Sequence, residues 1–138
     1  MNNINQLSFE IKKLLDEKPV NSVFVSNKAK ELEQVILNDE WYSRKCDEID
    51  DPIEELMDHK FYKETLAIIL AIKEKEFCSM DMGYYDSKAG ICYFELKDYQ
   101  NAELYFYKAI CDDEYLADEL FPYLEQLRNN PDFVLTYF

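Results

Sequence analysis

The sequence predicts an all-α fold built of antiparallel helix hairpins, with about six to seven helices. Three observations lead there. Two glycines and four prolines in 138 residues are too few turn residues for a β-sandwich or barrel. Apolar residues recur at gaps of three and four, the period of a helix buried on one face. Short polar breaks, several of them Lys-Asp, His-Lys or Asn-Pro, separate these periodic stretches. A hydrophobic content of 48% supports a packed core rather than a disordered acidic chain.

Taken in order, Leu7, Ile11, Leu14 and Leu15 form the stripe of a first short helix, ended at Lys18-Pro19. Ser26 is the expected cap of a second, whose inner face is Ala29, Leu32, Val35 and Ile36. Residues 38–51 are polar and acidic around Trp41 and Tyr42, and read as a helix end plus a loop. Asp51-Pro52-Ile53-Glu54 has the form of a helix start: an acceptor at the cap, proline at the first position, a carboxylate behind it. That helix should reach Asp58 and turn at His59-Lys60. Phe61–Lys75 is expected as an apolar helix on Leu66, Ile69, Leu70 and Ile72. Ser79 is the expected cap of a helix over Met80–Leu96. Lys97-Asp98 should turn the chain into Tyr99–Cys111. Tyr115–Arg128 follows, stopped by Asn129-Asn130-Pro131, and residues 132–138 are apolar enough to dock as a short turn or helix.

The stretch GICYFELKDYQNAELYFYKA, residues 90–109, carries the most specific pattern. Gly90 and Ala102 let two antiparallel helices approach closely, while Tyr93, Phe106 and Ala109 fill the seam, large against small. Gly90, Tyr93, Tyr99, Ala102, Phe106 and Ala109 resemble the signature of the tetratricopeptide repeat, a helix–turn–helix unit of about 34 residues. The resemblance is best over Gly83–Tyr115. It departs from the family at Asp86, where a Trp is usual, and near Glu114, where a Pro often closes the unit. A weaker copy precedes it, with Tyr62 aligned on Tyr99 and Leu56, Thr65, Ile69 and Ile72 on Tyr93, Ala102, Phe106 and Ala109. Residues 117–133 resemble the helix that closes such arrays. The resemblance implies one domain over 1–138: N-terminal helices over 1–50, two repeat-like pairs over 51–115, and a closing helix and tail over 116–138.

The charge is lopsided. Fifteen Lys and Arg face 29 Asp and Glu, a net charge of −14. Such a surface repels nucleic acid and anionic membrane and draws in basic proteins. Cys46, Cys78, Cys92 and Cys111 are widely spaced, and the lone His59 sits in Asp-His-Lys, so no zinc site is expected. Cys92 and Cys111 read as core fillers. Residues 1–17 show no basic leader before an apolar block, and no apolar run approaches the roughly 18 residues of a membrane span. A reducing, cytoplasmic setting is the expectation. No Gly-rich phosphate loop is present, and the acidic run 47–55 lacks the glycine and ligand spacing of a calcium loop. No nucleophile pairs with a histidine in a recognisable motif, so no enzyme and no cofactor are expected.

Binding remains. Tetratricopeptide-type arrays hold peptides or helices on a concave face. If Gly83 opens the repeat, the resemblance puts Tyr84, Ser87, Lys88, Ile91, Phe94 and Glu95 on that face, and Asp47, Asp50, Asp51, Glu54 and Asp58 on the corresponding face of the weaker copy. Tyr84, Ile91 and Phe94 are then expected as one exposed stripe. Only Lys88 is basic, so the carboxylate clamp of some family members is not expected. An aromatic and acidic groove suits a protein partner with apolar anchors near Lys or Arg. Two roles fit: an adaptor or chaperone similar to those of bacterial type III secretion, or an acidic inhibitor or immunity protein that neutralises a basic toxin or nuclease. A structural subunit of a larger assembly is a third.

Overall fold

The computed structural model describes residues 4–38, 46–75 and 82–138. Among them are seven helices and no strand: α1 (Ile4–Leu15), α2 (Ser22–Asn38), α3 (Cys46–Asp58), α4 (Tyr62–Glu74), α5 (Met82–Glu95), α6 (Tyr99–Asp112) and α7 (Leu116–Arg128). None of these helices is long and apolar enough to cross a membrane. The chain falls into two compact units, Met1–Ser79 and Met80–Phe138. The division runs between the two repeat-like hairpins rather than at their outer ends.

In the first unit, α2 packs on α1 and α4, and α1 also packs on α3. The core is a set of stripes at helical spacing: Ile4, Leu7, Ile11 and Leu15 from α1; Val25, Ala29, Leu32 and Ile36 from α2; Ile49, Ile53 and Leu56 from α3; Ile68, Ile69 and Ile72 from α4. Two expected helix starts are corrected. The cap of α2 is Asn21, whose side-chain oxygen accepts the Phe24 N–H at 3.1 Å. Ser26 lies one turn inside, and its hydroxyl donates to Glu64 on α4 at 2.6 Å. Pro52 does not open α3 but sits within it. Starting at Cys46 adds Ile49 to the buried stripe, and that gain offsets the N–H that proline withholds from the helix ladder. The cap expected at Ser79, and Trp41, Tyr42 and Cys78, lie outside the described residues.

Both predicted tight turns form, and they close identically. After α3, Lys60 takes φ 67°. Its N–H donates to Met57 O at 2.9 Å, and the Phe61 N–H donates to Leu56 O at 2.8 Å. After α5, Lys97 takes φ 67°. Its N–H donates to Phe94 O at 3.0 Å, and the Asp98 N–H donates to Tyr93 O at 2.9 Å. These are the paired bonds of a Schellman motif, which satisfy carbonyls a helix end leaves open. The turns stand 37 residues apart, the offset at which the weaker copy aligns. Asp98 caps α6, accepting the Asn101 N–H.

The second unit is the α5–α6 hairpin with α7 packed on both. Gly90 is the point of closest approach. A Cβ there would stand 2.5 and 2.6 Å from two ring carbons of Phe106 and 3.3 Å from Ala102 O. Ala102, Phe106 and Ala109 are fully buried, as the seam requires. The weaker copy keeps the turn but not this packing: Ile53 and Thr65 stand where Gly90 and Ala102 stand. There α3 and α4 meet each other less closely than α5 and α6 do, and α3 packs chiefly on α1 and α4 on α2. The final segment, 131–138, docks as expected, but through a turn and extended chain rather than a helix.

Candidate functional site

The α5 residues proposed from the sequence divide by depth. Tyr84 is half-buried, Glu95 is exposed, and Ser87 and Ile91 are buried. The Ser87 hydroxyl turns back onto its own helix, donating to Tyr84 O at 2.7 Å. Phe94 meets Tyr123 of α7 edge-on at 5.3 Å and Tyr99 of α6 at 5.7 Å. The expectation of one exposed stripe through Tyr84, Ile91 and Phe94 is therefore corrected. Within the unit, α7 packs on α5, and Tyr123 covers Phe94. Burial first, and then the nearby charge of Glu95, push the Tyr123 phenol above its usual value.

What α5 leaves accessible is polar. The Lys88 ammonium lies 5.3 Å from the centre of the Tyr84 ring and 3.6 Å from a Glu119 carboxylate oxygen on α7. Tyr84 in turn meets Tyr85 edge-on at 5.1 Å. The basic group is thus held between a ring face and a carboxylate, with most of its side chain covered. Asp86 is 5% exposed. Burial, and next the Asp86 charge, hold the Tyr105 phenol above its ordinary value.

The acidic residues belong to the first unit. Ile49, Pro52, Ile53 and Leu56 take the inner side of α3, so the carboxylates take the outer one. Asp51 and Asp58 are exposed, and Asp50 and Glu54 are half-buried. Positions 47, 50, 54 and 58 share one face at helical spacing. Asp47 lies in α3, but its side chain is outside those described. Of the other four, Asp51 and Asp58 reach solvent fully and Asp50 and Glu54 only in part.

Cys92 and Cys111 are free thiols. Cys92 is a core residue, and burial pushes its thiol up to about 12. Cys111 is exposed rather than a core filler. Among the described residues no group of three or more His, Cys, Asp or Glu side chains stands close enough to hold a metal ion. His59 is exposed, with a ring nitrogen 3.0 Å from Glu55 O. A cleft of about 350 Å³ opens between α2 and α4, with Lys30, Lys63, Glu33 and Glu64 among its lining. Its charges are mixed and its hydroxyl, Ser26, is committed to Glu64.

Sequence reading missed the large apolar side chains that are exposed. In the second unit these include Leu96, Tyr115 and Phe121, and in the first Phe9, Val23 and Phe24. Phe121 was readable in principle: it follows Leu120 and precedes Pro122, about a quarter-turn off the buried stripe of Leu120, Leu124 and Leu127. Comparison with family models, curated proteins and solved structures found no match to this chain.

Proposed function

We propose that this chain is a non-enzymatic protein-binding module of tetratricopeptide type, acting in the cytoplasm as an adaptor or chaperone-like protein. The observation that carries the reading is the recurrence of one helix–turn–helix corner 37 residues apart, with the second copy closed by a glycine–phenylalanine seam. Arrays of such units work by offering helix faces to a peptide or helix. In the second unit the partner surface is assigned to Tyr84, Lys88 and Glu95 on α5 and Phe121 on α7; in the first unit a separate surface is assigned to the acidic face of α3. A partner with apolar anchors beside Lys or Arg matches them.

The acidic α3 face favours a second reading, an inhibitor or immunity-type protein that neutralises a basic toxin or nuclease. Affinity capture with cross-linking identifies the partner, and titration of that purified partner against two variants then tests the surface. Phe121→Ala should weaken binding at least tenfold with little loss of stability. Asp51→Lys with Asp58→Lys should chiefly slow association, as added salt should. Unchanged affinity in both variants would remove this surface from the reading. A partner whose own catalysis stops on stoichiometric binding decides for the inhibitor; one merely kept soluble decides for the chaperone.

A further inference from the structure

Tyr99, Glu103 and Tyr107 stand four residues apart on α6 and share a face. The chain's own residues 133–138 cover it. The Phe133 ring lies 6.1 Å from Tyr99, edge-on. The N–H groups of Thr136 and Tyr137 both donate to a Glu103 carboxylate oxygen at 2.7 Å. The Tyr137 ring stacks on Tyr107 at 4.8 Å, and Phe138 meets the same ring edge-on at 6.0 Å. Glu103 is only 1% exposed. A carboxylate enclosed to that degree must be satisfied by protein donors, and two consecutive backbone N–H groups satisfy it here.

These contacts recognise a pattern rather than a particular chain. They use ring positions and main-chain donors, which any extended peptide can supply in the same order. Much of the covering segment's own surface nevertheless stays open to solvent. Val134 is 84% exposed, and Tyr137 and Phe138 keep 46% and 43% of their surface open. It leaves α7 through a single turn, in which the Asp132 N–H bonds to the Asn130 side chain.

We propose that this α6 face is a docking site for an extended aromatic peptide of a partner protein, and that residues 133–138 occupy it in cis until such a peptide displaces them. The matching peptide has a ring, two spacer residues, a residue with a free N–H, and then two rings. Proline is excluded at the fourth and fifth positions, because Glu103 needs both N–H groups. In a chain of net charge −14, the exposed spacer position favours Lys or Arg over an acidic residue. The site uses neither the α3 nor the α5 surface, so it stands or falls independently of the partner assigned there.

The test is a labelled peptide of sequence PDFVLTYF followed by fluorescence anisotropy against the full chain. An attached segment competes at an effective concentration on the order of millimolar. Wild-type protein should therefore bind weakly, and Tyr137→Ala with Phe138→Ala, which loosens the cis segment, should bind at least tenfold more tightly. Adding Glu103→Ala to that variant should abolish binding, and so should proline at the fourth or fifth ring-to-ring position of the peptide. Equal binding of the proline peptide, or no binding by a loosened variant with wild-type circular dichroism, overturns the proposal. Self-association of the full chain without peptide binding overturns it too, since the face would then exchange between copies. Should the variants lose helical structure, amide exchange on wild-type protein serves. Excess peptide should speed exchange at Thr136 and Tyr137, and unchanged rates there overturn the proposal.

Discussion

Gly90→Ala is a sharp probe of the α5–α6 seam, because two opposing effects of known size meet at one atom. Alanine in place of glycine in a helix interior gains about 1 kcal/mol from backbone propensity. The added Cβ, however, would stand 2.5 Å from a Phe106 ring carbon. Ordinary carbon contact needs about 3.5–4.0 Å, so the ring must retreat by about 1 Å. It has little room: Phe106 is fully buried, and the Tyr123 ring is 5.8 Å from its own. Forcing an extra methyl group into such a core costs about 1–3 kcal/mol. The net expectation is destabilisation by about 1 kcal/mol for Gly90→Ala, and about 2 kcal/mol or more for Gly90→Leu. The assay is urea unfolding followed by circular dichroism, with midpoints compared at constant slope. A Phe106→Leu background decides the cause. With the ring gone, Gly90→Ala should become neutral or stabilising, so the two substitutions couple by about 1–2 kcal/mol. If Gly90→Ala stabilises the wild-type chain, or the two effects simply add, the seam is not where the hairpin closes.

Lys60→Gly and Lys97→Gly should each stabilise by about 0.5–1 kcal/mol, since both lysines hold the left-handed backbone that glycine adopts freely; a loss in either, read as a lowered urea midpoint, would count against the turn geometry. Phe94→Ala should cost about 2 kcal/mol through its lost contacts with Tyr99 and Tyr123, measurable as an early melt. Thiol labelling with mass mapping should modify Cys111 readily and Cys92 only after denaturation. Cys92 also sets an alkaline limit: its thiol ionises near 9.0 when unfolded and at about 12 when folded. The unfolded chain therefore releases its proton first, so stability present below pH 9 declines by up to about 1.4 kcal/mol per pH unit as pH rises toward 12. Cys92→Ala should flatten that decline, and pH-dependent melts would show it.

Much of the architecture was legible because it depends on local rules. Helical spacing marked most of the stripes of α1 and α2; in α4 it found Ile69 and Ile72 but took half-buried Leu66 and Leu70 for core and passed over Ile68. Small residues at 90 and 102 marked the hairpin that closes most tightly. Both corners were readable as two-residue polar breaks. Pro52 misled because proline at a first helical turn and proline tolerated inside a helix look alike in sequence; only the burial of Ile49 distinguishes them. The face of α5 misled for a different reason. Periodicity says that Tyr84, Ile91 and Phe94 share a side, but not that α7 folds back and lays Tyr123 against it. The docking of 133–138 on Glu103 had no sequence signal, since the donors are main-chain N–H groups that every residue but proline owns.

The twin corners have a consequence for how such a chain can change over generations. Each is written in backbone hydrogen bonds, between Lys60 or Phe61 and the end of α3, and between Lys97 or Asp98 and the end of α5. No side chain takes part in them. Substitutions along the helices can therefore change which neighbours a hairpin packs on without dismantling its bend: α3 and α4 keep the corner while packing chiefly on α1 and α2. Partner choice and chain reversal are inherited separately here, and a hairpin can be recruited to new company while its bend stays the same.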